Sequence, residues 1–243
     1  MLTHIDLFSG VGGFALAAQW AGFRTIAFVE IESYPQSLIK KHFPGVFLFE
    51  DIKNFNWKGE CPTLITGGFP CQPFSSAGRK RGTADDRYLW PPMLRIISQI
   101  RPTWVLAENV INIGNMVLAD CENDLEAEGY EAQSLDIPAC ACGLSTMERH
   151  IWIIASLRSE FLEGYGKECL SRVRKIHSCK RRTNHNETQG FPPIPDLSLP
   201  KLCRSRKGIP NWVERHRAIG NAIPPQVAYE IIKEIARIEE ATA

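Results

Sequence analysis

The stretch GGFPCQPFSSAG, residues 67–78, places Cys71 directly after Pro70, with Gln72 and Pro73 following. Flanking prolines fix φ and pre-organise a loop, so the thiol is held in one place. A lone cysteine is most often apolar filler. Redox use is disfavoured because no C-x-x-C surrounds it. A nucleophile needs an acid or base and a co-reactant nearby. Glu108, in LAENV, closes an apolar run and is placed at the same sheet edge as the loop of Cys71. Thiol and carboxylate converging beside a cofactor permit covalent catalysis. The cofactor is suggested by DLFSGVGGF, residues 6–14, whose glycines at 10, 12 and 13 allow a sharp turn and close approach to a ligand. The spacing falls short of G-x-G-x-x-G. Glu30 ends the next apolar run and Asp51 follows the third. A carboxylate at the end of the second strand of a doubly wound sheet commonly grips a ribose hydroxyl.

The elements that must position these residues are short apolar runs alternating with amphipathic ones. THIDLF, RTIAFVE, VFLFED, PTLITGG, PTWVLAEN, EAQSLDIPA and RHIWIIASL read as strands. GGFALAAQWAGF, SYPQSLIKKHF, DRYLWPPMLRIISQI and NMVLADCENDLEAEGY read as helices between them. This alternation predicts an α/β fold, a doubly wound, mostly parallel sheet with helices on both faces. The direction of RHIWIIASL is left open by its periodicity. Regularity stops near Ser159, and 159–208 is rich in Lys, Arg, Ser and Pro. A Pro-initiated helix, PPQVAYEIIKEIARI, follows. The expected organisation is a catalytic and cofactor-binding domain over 1–158, a small loop-rich basic insert over 159–208, and a C-terminal segment over 209–243 returning to the first.

With 44% hydrophobic and 23% charged residues, the composition is that of a globular enzyme and excludes a disordered tail. No basic and apolar leader opens the chain and no stretch suits a membrane span, so no membrane partner is expected. Eight cysteines in such a chain point to reduced thiols in a cytoplasm. Net charge is only +1, but from Arg158 to Arg217 there are 14 Lys and Arg against 6 Asp and Glu. Within it, CLSRVRKIHSCKRR carries six basic residues and no acidic one, a footprint suited to phosphates or simply a solvated run.

Four blocks in order, DLFSGVGGF, GGFPCQPFS, ENV and AIGNAIPPQ, resemble the signature blocks of the DNA cytosine-5 methyltransferases of compact bacterial or phage type. The resemblance runs over nearly all of the chain except about 159–200. It implies the Rossmann-like fold of S-adenosylmethionine-dependent methyltransferases, with S-adenosylhomocysteine as product and no metal. It implies that Phe8, Ser9, Gly10, Gly12 and Gly13 surround the donor, with Phe8 against the adenine. Glu30, beside Ile31, would hold the ribose, and Asp51, beside Ile52, the adenine amino group. Pro70, Asn221 and Ala222 would close the pocket. Cys71 matches the nucleophile and Glu108 the acid that engages cytosine. Carbon 5 of cytosine is too electron-poor to take a methyl group directly. Thiolate attack at carbon 6 makes carbon 5 nucleophilic, and loss of its proton and of the thiol then restores the ring. The base must leave the duplex for this chemistry.

Two features depart from the family. Where relatives carry Gln-x-Arg-x-Arg, this chain has Thr146, Glu148 and His150, with Arg149 displaced by one. Arg149 is taken as the catalytic cation, with His150 as the alternative. The insert, where the family keeps target recognition, spans only about fifty residues. Gln72, Ser75, Arg172, Lys180 and Arg181 are the candidate DNA contacts, with Asn184 beside them. Cys169, His177, Cys179, His185 and Cys203 lack standard finger spacing, so free thiols are expected over zinc. The expected partners are duplex DNA and a cognate restriction endonuclease, met by a monomer in a bacterial or phage-infected cell. The rival readings are a transfer-RNA methyltransferase, an inactive DNA-binding homologue, and a cofactor-binding protein without nucleic acid.

Overall fold

Strands buried on both faces must be apolar along nearly their whole length, and those of a parallel sheet are. The structure, a computed structural model, describes residues 1–70, 88–142, 144, 148–158 and 212–242. Within these residues the strands are β1 (Thr3–Leu7), β2 (Arg24–Val29), β3 (Phe47–Phe49), β4 (Leu64–Gly68), β5 (Trp104–Val110), β6 (Glu131–Pro138) and β7 (Arg149–Ser156). They form one seven-stranded sheet in the order β3-β2-β1-β4-β5-β7-β6. The first five are parallel, while β7 runs antiparallel between β5 and β6. This settles the direction of RHIWIIASL.

The helices are α1 (Gly13–Trp20), α2 (Ser33–His42), α3 (Trp90–Ile100), α4 (Asn115–Ala127), α5 (Trp212–Gly220) and α6 (Pro225–Ala241). The sequence pattern leaves α5 unread, because WVERHRAIG carries no clean apolar stripe. On one face, Trp90, Met93, Ile96 and Ile97 of α3 and Val117, Cys121 and Leu125 of α4 pack on Ile5, Ile65, Val105 and Ile153. On the other, Phe14, Ala17 and Ala18 of α1 and Val227, Ile231 and Ile235 of α6 pack on Leu64, Leu106, Trp152 and Ile154. Helices therefore cover both faces, as the alternating pattern requires. Completely buried Trp90, Trp104 and Trp152 supply the largest share of apolar burial per residue in these layers.

The α6 helix is anchored at its end by Glu239, which accepts from Trp104 Nε1 at 2.8 Å and from Arg158 Nε at 2.8 Å. Among the described residues no helix is long and apolar enough to cross a membrane.

Candidate active site

The β1–α1 turn holds three positive-φ residues within five positions. Phe8 has φ 54° and Gly10 and Gly12 have φ 52° and 87°. For phenylalanine this left-handed conformation costs on the order of 1–3 kcal/mol and persists only where surroundings enforce it. Ser9 enforces it, donating through Oγ to Asp6 O at 2.7 Å and through its amide to Val29 O at 3.1 Å. Gly13 is required by close approach, since a Cβ there would lie 2.8 Å from Ile223 Cγ1. Ile223 directly follows Asn221 and Ala222, so the chain returning before α6 is pressed onto this turn.

Glu30 lies beside the same turn, at the carboxyl end of β2. Its Oε2 accepts from Gly10 N at 2.6 Å and its Oε1 from Glu32 N at 2.7 Å. Burial raises its pKa above the ordinary carboxylate value, against the two amide bonds, which lower it. Ile31, next to it, is 69% exposed, an apolar side chain left open beside a buried carboxylate. Arg217 of α5 closes on this point through Glu32, at 2.9 Å. At the end of β3, Asp51 accepts from Lys53 N at 2.9 Å and Asn54 Nδ2 at 3.2 Å, which shapes its own turn. The side chain of Ile52 goes into the core with Phe55 rather than outward.

The second half of the edge lies at the ends of β4 and β5. Pro70 is the last described residue before Cys71. Cys71, Gln72, Ser75, Arg172, Lys180, Arg181 and Asn184 lie outside the described residues, as do Thr146 and the five Cys and His of the insert. The chain leading to Cys71 is held in place: Asn109, 4% exposed, donates through Nδ2 to Phe69 O at 2.8 Å. Phe69 packs on Trp90 with ring centroids 5.2 Å apart. Sequence reasoning passed over Asn109, although it is the middle residue of ENV.

Glu108 is 8% exposed, with His150 Nδ1 at 2.5 Å from its Oε1. Glu108 is in register with Trp152 and Val110 with His150, so all four share the face under α1 and α6. Alternation along β7 turns Arg149 to the opposite face, where it pairs with Asp136. The structure thus brings His150, and not the expected Arg149, to Glu108. Among the described residues no group of three or more His, Cys, Asp or Glu could hold a metal. A cavity of about 440 Å³ between Arg24, Phe47 and Trp57 opens at the amino end of β2, away from these carboxylates.

The arrangement follows the rule for open α/β sheets, with ligand groups at the carboxyl ends of the parallel strands. One half, the strained turn with Glu30 and Ile31, suits a nucleoside. The other half sets a buried carboxylate beside the end of β4, the strand that precedes Cys71. Comparison with known proteins gives the family. The model of the C-5 cytosine-specific DNA methylase family matches residues 2–198. The Type II methyltransferase M.PspPI of Psychrobacter is 33% identical over 180 residues, 71% of this chain and 43% of that protein. M.HindV of Haemophilus influenzae, also a Type II methyltransferase, is 34% identical over 165 residues, 64% of this chain and 53% of that protein. Among solved structures, one assigned as a DNA modification methyltransferase encoded within an E. coli prophage superposes with a TM-score of 0.55 and 28% identity, covering 64% of this chain and 47% of that one. This chain spans about half the length of the curated relatives it matches. From the matched blocks and the edge that carries them, the chain belongs to the C-5 cytosine-specific DNA methylase family.

Proposed function

We propose that this chain transfers a methyl group from S-adenosylmethionine to carbon 5 of a flipped-out cytosine in a specific duplex DNA sequence, through a covalent adduct with Cys71. Membership of the methylase family implies S-adenosylmethionine as the donor, and the residues at the edge fit it. A buried carboxylate accepts two amides and has lone pairs left for ribose hydroxyls, and exposed Ile31 offers an apolar surface to a base. Phe8, Ser9, Gly10, Gly12, Gly13, Glu30, Ile31, Asp51, Pro70, Asn221 and Ala222 are the proposed donor site, with Ile52 contributing only its backbone because its side chain lies in the core. When bound, the donor supplies an electrophilic methyl group on a sulfonium.

The observation that carries the reading is the bond from Asn109 to Phe69 O, which anchors the chain two residues before Cys71 against the strand that bears Glu108. Cys71 would add to carbon 6 while Glu108 engages the ring nitrogen and amino group and offsets the charge that develops there. Burial of Glu108 and the closing C-terminal segment keep water from the reacting ring. Gln72 and Ser75 are proposed as contacts near the flipped base, and Arg172, Lys180 and Arg181 as contacts with the duplex. The proposed state is a monomer on duplex DNA. Likeness to Type II methyltransferases makes a restriction endonuclease of the same sequence the second partner expected.

Bisulfite conversion and sequencing of DNA from cells expressing this chain, against an empty-vector control, tests the reading. Protected cytosines within one short shared sequence are expected. If none is protected while soluble protein still binds the donor, DNA methylation is refuted. Labelled donor offered with transfer RNA then separates an RNA methyltransferase from an inactive binder.

A further inference from the structure

At its carboxyl edge, the sheet face under α1 and α6 ends in one buried acid–base pair. The side chains of Glu108 and His150 are only 10% and 15% exposed, and Oε1 and Nδ1 are 2.5 Å apart. Register fixes this contact, since His150 faces Val110 and Glu108 faces Trp152, making the pair diagonal neighbours on one face. The other carboxylate oxygen lies toward β4. A Cβ on Gly68, three residues before Cys71, would sit 3.0 Å from Glu108 Oε2. One oxygen is therefore committed to the imidazole, and the other is held beside the strand that leads to the cysteine.

We infer that His150 is the positioning residue of Glu108, holding Oε1 through Nδ1 so that Oε2 is presented to the base, and that its ionisation makes this hold depend on pH. The inference rests on the cytosine-methyltransferase reading given above. An arginine in this role would stay charged at every working pH, whereas an imidazole does not.

The groups around His150 set the direction. Burial disfavours the imidazolium, but the hydrogen bond and charge of Glu108, with the charge of Glu148 added, outweigh it and hold the pKa above the ordinary value. Among the described residues, those against His150 on this face are Trp152 on β7 and Ile137 on β6, and the cluster they belong to continues through Cys142 and Ile223. The next charges along β7 and β6, Arg149 and Asp136, neutralise each other on the opposite face. Below its pKa, His150 donates a charge-assisted bond to Oε1. As pH rises through that value the cation is lost and the bond that holds Oε1 weakens, so Oε2 is no longer fixed. Turnover therefore falls on the alkaline side.

Two measurements test this. NMR titration of His150 is expected to give a pKa above the free-imidazole value, dropping by about one unit or more in E108Q. Labelled methyl transfer to duplex DNA is then followed between about pH 6 and about pH 9 for wild type, H150R and H150Q. Wild-type kcat is expected to fall about tenfold per pH unit above the His150 pKa, with no matching fall in H150R. H150Q is expected to be about tenfold or more slower than wild type below the His150 pKa and to lack the alkaline fall, with the KM for donor within about twofold. A His150 titration indifferent to E108Q overturns the inference, as does an H150R enzyme that keeps the wild-type alkaline limb. Wild type moving no methyl to DNA at any pH, with the E108Q shift intact, overturns the methyltransferase reading instead and leaves the pairing supported.

Discussion

Glu30 shows how far one carboxylate can be committed before any ligand arrives. It joins the β1–α1 turn to the end of β2 through two short amide bonds, and burial raises its pKa. Because the folded value lies above the unfolded one, ionisation is less favourable in the fold than in the unfolded chain. Protonation therefore adds stability as pH falls through the folded pKa. Donor binding carries the opposite sign, because ribose hydroxyls need the ionised acceptor. Donor affinity should weaken as pH falls through the raised pKa of Glu30, and calorimetry of donor binding across that range would show it. Glu30→Gln should cost about 2 kcal/mol, roughly thirtyfold, and remove the acid limb. An unchanged limb in that variant would transfer the role to another acid. Cys71 makes a separate prediction. Cys71→Ser should lower methyl transfer by at least about a thousandfold while donor affinity stays within about twofold, because one soft atom is changed and the loop is kept. Turnover within about tenfold of wild type would refute the nucleophile.

Among the elements, three parallel strands share a buried polar chain beneath α1. Thr66 Oγ1 on β4 donates to Asp6 Oδ1 at 2.8 Å, and His4 Nε2 lies 2.8 Å from Thr66 Oγ1. His4 Nδ1 lies 3.0 Å from Thr25 Oγ1 on β2. Since Thr66 spends its proton on Asp6, His4 must donate through Nε2 and accept through Nδ1, as a neutral imidazole. Burial lowers its pKa to about 3, and burial pushes Asp6 well above the usual carboxylate range. The two have opposite consequences in acid. Asp6 takes up its proton in the fold first, so it adds stability as pH falls toward its unfolded value. His4 is protonated first in the unfolded chain, so stability is lost from about pH 6.5 downward at about 1.4 kcal/mol per unit. Urea unfolding at a series of acidic pH values should show that slope reduced by this amount in His4→Gln; equal slopes would refute a neutral buried His4. Such a chain is illegible in the sequence, because THIDL reads only as an alternating strand and the partners of His4 lie 21 and 62 residues away. The α/β alternation and the blocks themselves are legible, because each is local. What sequence leaves open is register. Only pairing of β5 with β7 decides that His150 meets Glu108 while Arg149 faces away. Likewise only tertiary contact reveals Asn109 as the anchor of Phe69, and an apolar run such as RHIWIIASL carries no signal of direction.

Taken whole, the molecule divides its charge unevenly, and that division makes a prediction about DNA. From Arg158 to Arg217 the chain has 14 basic and 6 acidic residues, while the remainder has 14 basic and 21 acidic. The remainder, which carries Glu30 and Glu108, is net negative and at long range repels a phosphate backbone. Binding to duplex DNA must then depend on the basic segment, most of all on the six Lys and Arg between Cys169 and Arg182. Each phosphate neutralised releases counterions, so the slope of log affinity against log salt is about −0.9 per contact. If all six make contact, affinity should fall about a thousandfold between about 50 mM and about 200 mM salt. Replacing Arg172, Lys180 and Arg181 by Gln should make that slope shallower by about 2.7, with donor affinity unchanged because the proposed donor site is on the sheet edge. Fluorescence anisotropy of a labelled duplex over this salt range measures both. A flat response in the wild type would show that the basic segment does not touch the backbone. A triple variant with the wild-type slope would assign the contacts to other cations of the segment.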